Sequence, residues 1–311
     1  MNLLFLKPSA QLTLTLLLVS ITTSCDANST LVSAKLQPQI SATTKQQPLQ
    51  IGAATGELRH QGRQRSYYLY TPKSYNPKRQ MPLILAFHGS GSQGKDLASS
   101  TGFNELAERQ GFIIAYPNGI DRRWDVASNP MWGVNDVSFV STLINHLKQT
   151  RSIDKRRIYA TGVSNGGFLV QRLACELNSQ IAAFGSVVAT MPGEVKEFCN
   201  SKRPISMLMI NGTNDDKVPW AGTKIFGYSI LSVPDSIKFW RQHNGCTGKE
   251  VKKSLNKRVD ISRYPNCRDG AEVELVTLKG AGHIFPRGGG GSSQLINASQ
   301  EIWNFFKRHP L

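Results

Sequence analysis

The sequence contains no C-x-x-C pair, and its five cysteines (Cys25, Cys175, Cys199, Cys246 and Cys267) do not have the spacing of a zinc ribbon or a thioredoxin-like redox motif. No internal repeat and no second low-complexity linker interrupt it, so a single folded domain is expected after the N-terminal region. The apolar run over residues 12–21 is too short to span a bilayer as a mature helix. Acidic residues are scarce: 21 Asp and Glu stand against 37 Lys and Arg, a formal charge of +16. The basic residues are scattered ("DRRW", "DKRR", "EVKKSLNKR") and carry no zinc-knuckle or RNA-recognition signature, so no nucleic-acid partner is expected. Such a surface suits an anionic polymer, a polyanionic substrate or lipid headgroups. What the chain has in quantity is core: 40% of its 311 residues are hydrophobic and 19% charged, a globular composition.

The first 24 residues read as an export signal. Lys7 supplies the positive start, residues 12–21 the apolar stretch, and small residues precede Cys25. The ending "ITTSC" is similar to a bacterial lipobox, with Thr22 where leucine is commoner, so Cys25 is the candidate lipidation site and membrane attachment through that lipid the expected consequence. Ordinary cleavage nearby, releasing a secreted protein, is the competing expectation. Residues 25–50, rich in Ser, Thr, Gln and Ala, read as a flexible tether, and residues 51–311 as one folded domain. With Cys25 set aside, four cysteines in an exported chain suggest disulfides; nearest-neighbour pairing joins Cys175 to Cys199 and Cys246 to Cys267.

Strand-like and helix-like segments alternate. "GELRHQGRQRSYYLYTP" reads as a hairpin turning at Gln61 and Gly62, and "MPLILAFHG" as a buried parallel strand. Helix "FNELAERQG", strand "FIIAYPNG" and a Trp- and Asn-rich loop follow, then helix "VSFVSTLINHLKQT" with Asp136 as its expected N-cap. Strands "RIYATG", "AAFGSVVAT", "ISMLMINGT" and "EVELVTLKG" and helices "VPDSIKFWRQH" and "SQLINASQEIWNFFKRH" complete an α/β pattern: a mostly parallel, doubly wound sheet with helices on both faces.

Within it, "YATGVSNGG" sets Ser164 between Gly162 and Gly166, at a strand-to-helix turn. Such a turn is sharp, and flanking side chains would collide with neighbouring backbone. A serine hydroxyl is a weak nucleophile and needs a base held by a third group. Of six histidines, His60, His146, His243 and His309 read as surface or packing residues and His88 as a brace at the end of a buried strand. His283, in the glycine-rich "KGAGHIFPRGGGG" after a strand, is the expected base. "MINGTNDDKVPW" offers Asp215 as the acid, with Asp216 as alternative. The order Ser164, Asp215, His283 is that of the α/β-hydrolase triad. The expected oxyanion donors are the backbone N–H of Asn165 and, from "HGSGS", that of Ser90, with Gly91 as alternative. Trp124, Trp132 and Trp220 are candidates to line an aromatic-accepting cleft. No metal or organic cofactor is required.

"LILAFHGSGS", "FIIAYPNG", "VNDVSFVSTLINHL", "DKRRIYATGVSNGGFLVQRLACEL", "NGTNDDKVPW" and "GAGHIFPRG" together resemble the polyhydroxybutyrate depolymerase / feruloyl esterase family of secreted α/β-hydrolases, from about Gly56 to Pro310. The resemblance implies the same Ser164, Asp215 and His283, a disulfide involving Cys175 and one near Cys246 and Cys267. The expected function is that of a serine carboxylic-ester hydrolase working through an acyl-enzyme; a feruloyl or acetyl ester on polysaccharide and a short hydroxyalkanoate ester both fit as substrate, and a monomer is expected. Asn211 stands where the family usually has histidine, and Phe285 and Arg287 where Trp and Gly are usual; these departures are expected to alter the pocket mouth. The chain closes at Leu311 without an appended binding module, which weighs against attack on insoluble polymer. A non-catalytic surface lipoprotein on the same scaffold is the alternative, and complete triad candidates count against it.

Overall fold

The computed structural model describes residues 50–126, 134–225, 228–288 and 295–311. They fall in a compact unit bounded by Gln46 and Leu311. The signal, the tether up to residue 49, Cys25 and Trp132 lie outside the described residues.

In chain order the elements are β1 (Gly52–His60), β2 (Arg63–Thr71), β3 (Met81–Phe87), α1 (Gly94–Thr101), α2 (Phe103–Gln110), β4 (Ile113–Pro117), α3 (Asp136–Thr150), β5 (Ile153–Val163), α4 (Asn165–Glu176), β6 (Ala183–Val187), α5 (Gly193–Phe198), β7 (Ser206–Gly212), β8 (Thr223–Ile225), β9 (Tyr228–Ile230), α6 (Val233–His243), β10 (Val251–Asn256), β11 (Val259–Tyr264), β12 (Val273–Leu278) and α7 (Ala298–Arg308). Ten strands form one sheet in the order β1-β2-β4-β3-β5-β6-β7-β12-β11-β10. The six central strands, β4 to β12, run parallel. The pairs β1–β2 and β10–β11 extend the sheet antiparallel at its two ends.

The period-2 geometry of a strand sorts the apolar run of β3 into two cores. Leu83, Leu85 and Phe87 enter one, with Val140 and Leu143 of α3, Leu169 and Leu173 of α4 and Trp240 of α6. Ile84 and Ala86 enter the other, with Leu106 of α2 and Ile302 and Phe306 of α7. Both faces of the central strands are therefore covered, which is why these strands read as continuous apolar runs rather than alternating ones. On the second face the Phe306 ring stacks on Tyr159 with centroids 4.8 Å apart.

Three expectations change. Asp136 is not the cap of α3: Asn135 is, its side chain accepting from Ser138 N–H. Asp136 is instead buried against the Arg65 guanidinium of β2 at 2.7 Å, and also accepts from Asp125 N–H. The last helix begins at Ala298 rather than five residues earlier, with Asn297 accepting from Gln300 N–H as its cap. The strands β10 and β11, unread in the sequence, add an antiparallel hairpin beyond β12. Two disulfides are present, Cys175–Cys199 tying α4 to the end of α5 and Cys246–Cys267 closing the loops around β10 and β11.

Candidate active site

Parallel strands deliver their following loops to one edge of the sheet, and Ser90, Ser164, Asn165, Asp215 and His283 all follow such strands on that edge. Ser164 follows β5 and precedes α4 with φ 54° and ψ −118°, a conformation non-glycine residues rarely adopt. Excluded volume enforces it. A Cβ on Gly162 would come within 2.2 Å of Gly166 O, and one on Gly166 within 2.2 Å of Phe87 O. The strand, the turn and the neighbouring β3 thus pack backbone against backbone, and the side chain left at the apex is the serine's. Ser164 N–H donates to Val187 O at the end of β6, at 3.0 Å.

The loops after β7 and β12 lie side by side because these strands pair, from Val273 opposite Met207 to Leu278 opposite Gly212. Two crossing backbone bonds, Thr213 N–H to Leu278 O and Asn214 N–H to Ala281 O, hold them together. In consequence Asp215 Oδ2 meets His283 Nδ1 at 2.8 Å. Asp215 Oδ1 accepts from Lys217 and Val218 N–H, so the carboxylate has one oxygen fixed by backbone and the other left for the imidazole. Asp216 has the opposite environment: its side chain is 72% exposed and paired with Lys217, while that of Asp215 is 1% exposed. With Nδ1 occupied by Asp215, Nε2 of His283 is the nitrogen free to serve as a base. No hydrogen bond joins Ser164 and His283 among the described residues; such contacts often tighten only on substrate binding.

Asn165 is the first residue of α4, where a backbone N–H has no acceptor within the helix. The loop after β3 makes a turn from Gly89 to Ser92, closed by Ser92 N–H to Gly89 O, with Gly91 at φ 80°. Gly89 lies against the nucleophile: a Cβ there would be 3.5 Å from Ser164 Cβ. Gly91 N–H is taken by Arg122 O at 2.9 Å, which removes it as an alternative donor and leaves Ser90, an exposed residue, as the candidate. His88 braces this turn. It is fully buried, its Nδ1 contacts Gly89 O at 2.8 Å and its Nε2 accepts from Gly119 N–H at 3.0 Å. Because a backbone N–H can only donate, the ring proton belongs on Nδ1. Burial pushes the imidazole's pKa below its ordinary value, outweighing the bond to Gly89, so the ring is neutral.

The tryptophan expectation changes for Trp124, while Trp132 lies outside the described residues. Trp124 is 2% exposed, sits edge-on to Phe87 at 5.3 Å and donates its indole N–H to His88 O, so it offers no face to a substrate. Trp220 is half-buried in the loop between Asp215 and α6 and packs on the core. Of the departures noted in sequence, Asn211 is buried, Phe285 half-buried and Arg287 exposed. Asn211 is 1% exposed and donates to Ala189 O, and Phe285 packs toward Phe103. The exposed apolar neighbour of His283 is Ile284, 44% accessible, which the sequence reading passed over. Its only signal there was its place beside the histidine.

Residues 65–229 match the family described as Esterase PHB depolymerase. A bifunctional acetylxylan esterase/xylanase of Neocallimastix patriciarum is 27% identical over 254 residues, 79% of this chain and 34% of that protein. Feruloyl esterase B of Piromyces equi is 28% identical over 260 residues, 77% of this chain and 44% of that protein. The chain therefore spans a third to under half the length of these two relatives. Among solved structures, an acetyl xylan esterase from Aspergillus awamori superposes with a TM-score of 0.61 at 14% identity, over 82% of this chain and 99% of that one. The sheet order and this likeness make the fold that of the α/β-hydrolases.

Proposed function

The chain belongs to the Esterase PHB depolymerase family, and from that premise we propose that it hydrolyses carboxylic esters through an acyl-serine intermediate. The observation that carries the reading is the Asp215–His283 pair at 2.8 Å on the same sheet edge as a serine held at φ 54°. Ser164 Oγ attacks the ester carbonyl as His283 Nε2 takes its proton. Asp215 holds the imidazole in the tautomer with Nδ1 protonated and stabilises the imidazolium. The oxyanion is met by the N–H groups of Asn165 and Ser90. The imidazolium returns its proton to the leaving alcohol, and a water activated by the same nitrogen releases the acid. All bonds made and broken are those of ester hydrolysis, and the chain's own groups carry every proton.

The substrate class we favour is a feruloyl or acetyl ester on polysaccharide, supported by the names of the relatives, with a short hydroxyalkanoate ester as the second candidate. Two disulfides support an exported location, and the "ITTSC" sequence supports a lipid on Cys25 that would hold the enzyme at the cell envelope through residues 25–50. A hydrolysis panel of p-nitrophenyl acetate, methyl ferulate, acetylated xylan and hydroxybutyrate oligomers tests the activity. Turnover of none of them, or turnover that survives Ser164→Ala, would reject it. Fractionation of Cys25→Ser tests the anchor: the variant leaves the membrane fraction, whereas a wild-type protein that is already soluble and carries no acyl mass removes that part of the proposal.

A further inference from the structure

The residue after the nucleophile supplies one candidate oxyanion donor through its backbone, and its side chain is engaged as well. Asn165 Oδ1 accepts from Trp124 N–H at 2.7 Å, and Asn165 Nδ2 donates to Trp124 O at 3.1 Å. Both polar groups of one backbone residue are thereby clamped by one amide. Trp124 in turn donates its indole N–H to His88 O at 2.9 Å. The His88 ring grips Gly119 N–H on one side and Gly89 O on the other. Arg122 O, from the same 118–126 segment, accepts from Gly91 N–H at 2.9 Å. The chain of contacts closes on itself: elbow, segment 118–126, His88, then the turn that presents Ser90, with Gly89 against Ser164.

We propose that the Asn165 side chain is a positioning residue that sets the second oxyanion donor, so that one residue furnishes the first donor with its backbone and fixes the place of the other through Trp124 and His88. This rests on the reading of Ser164 as an acyl-accepting nucleophile. The chemistry asks for asparagine in particular. An aspartate keeps the acceptor for Trp124 N–H but turns the second contact into an oxygen–oxygen repulsion, and an alanine loses both. A donor displaced by a few tenths of an ångström still lets the neutral ester bind, because the carbonyl in the ground state needs little from it. It fails the tetrahedral oxyanion, whose negative charge draws most from a short, aligned N–H. The clamp's signature therefore lies in kcat and not in KM.

The test is steady-state hydrolysis of p-nitrophenyl acetate by wild type, Asn165→Ala, Asn165→Asp and Trp124→Phe, together with inhibition by an aryl trifluoromethyl ketone, whose serine adduct carries the oxyanion. Asn165→Ala is expected to lower kcat about 10- to 100-fold with KM within about two-fold, and to weaken the ketone by the same factor as kcat/KM. Asn165→Asp should fall in the same range. Trp124→Phe should lose less, and the double variant Asn165→Ala/Trp124→Phe no more than Asn165→Ala alone, since both act on one path. Unchanged kcat, or a loss confined to KM, overturns the proposal. So does failure of both Asn165 variants to fold by circular dichroism, because the clamp would then be a support of the fold rather than of the donor. A wild-type chain with no Ser164-dependent turnover removes the underlying reading and the proposal with it, whereas Ser164-dependent turnover indifferent to Asn165 removes the proposal alone.

Discussion

The elbow around Ser164 and the segment 118–126 that leans on it are built by opposite means. In the elbow, Gly162 and Gly166 leave no room for side chains, and backbone meets backbone across β5, α4 and β3. The geometry follows from what is missing. In segment 118–126, side chains do the holding: Asn165 and His88 grip its backbone, while Arg65 reaches Asn118 O and the Asp136 carboxylate accepts from Asp125 N–H. Excluded volume tolerates no substitution but needs no partner. A polar clasp tolerates conservative change but fails as a unit, since a buried group that loses its partner keeps its desolvation penalty.

Substitutions can separate the two. Ser164→Ala removes the chemistry while leaving the elbow's packing, so ester turnover should fall about 10⁴- to 10⁶-fold with an unchanged melting temperature; a fall in stability instead would mean that the serine supports the turn. At the acid loop, Asp215→Asn should lower kcat by about 10³-fold or more, and Asp216→Asn by less than about three-fold, measured on the same ester. The reverse ranking would move the acid to the exposed residue. Gly166→Ala puts a methyl group into Phe87 O, and a loss of roughly 4 kcal/mol or failure to accumulate is expected in urea titration. Arg65→Met leaves Asp136 buried without its counter-charge, and about 3–5 kcal/mol should be lost; the double variant Arg65→Met/Asp136→Leu should recover part of it, because it removes the orphaned charge but leaves Asp125 N–H and Asn118 O without their side-chain partners. No such rescue is available to Gly166.

The smallest effect concerns pH. Burial lowers the pKa of His88 in the folded protein, against weaker opposing effects from Gly89, Asp96 and Asp136. A depressed folded pKa means that the unfolded chain binds the proton first as pH falls. The associated stability is thus present above the ordinary histidine value of about 6.5 and is lost as pH falls through the folded value. Between pH 7 and 5 the melting temperature of wild type should drop more steeply than that of His88→Gln, by a few degrees at most. Parallel curves would show that the ring is not held neutral by burial.

Legibility in the sequence followed the same division. The elbow could be read from nine consecutive residues, because glycine spacing around a serine states a steric requirement locally. The central strands could be read because burial on two faces writes a continuous apolar run, as in "PLILAF". The polar clasps could not: Asn165 and Trp124 are 41 residues apart, and Arg65 and Asp136 are 71. Either member of such a pair looks like a surface residue until its partner is known. On local grounds Asp136 reads as a cap, yet its partner is the buried guanidinium of Arg65. Trp124 falls in a loop and so reads as a cleft residue, yet a loop can still be packed inside. The hairpin β10–β11 is not legible because all six residues of β10 are exposed, and in β11 the buried Asp260 and Ser262 break the apolar run that would mark a buried strand.

By itself the sequence determined the α/β pattern, the turn that exposes Ser164 and the identity of the loops that face it, since each depends on residues adjacent in the chain. Only the tertiary structure decided which of two neighbouring aspartates meets His283, that Gly91 N–H is taken by Arg122 O, and where Trp124 goes. Those choices turn on differences of one residue in loop register. Such differences are set by the pairing of β7 with β12 and by the contact of Gly91 with Arg122, between segments that the chain itself does not bring together.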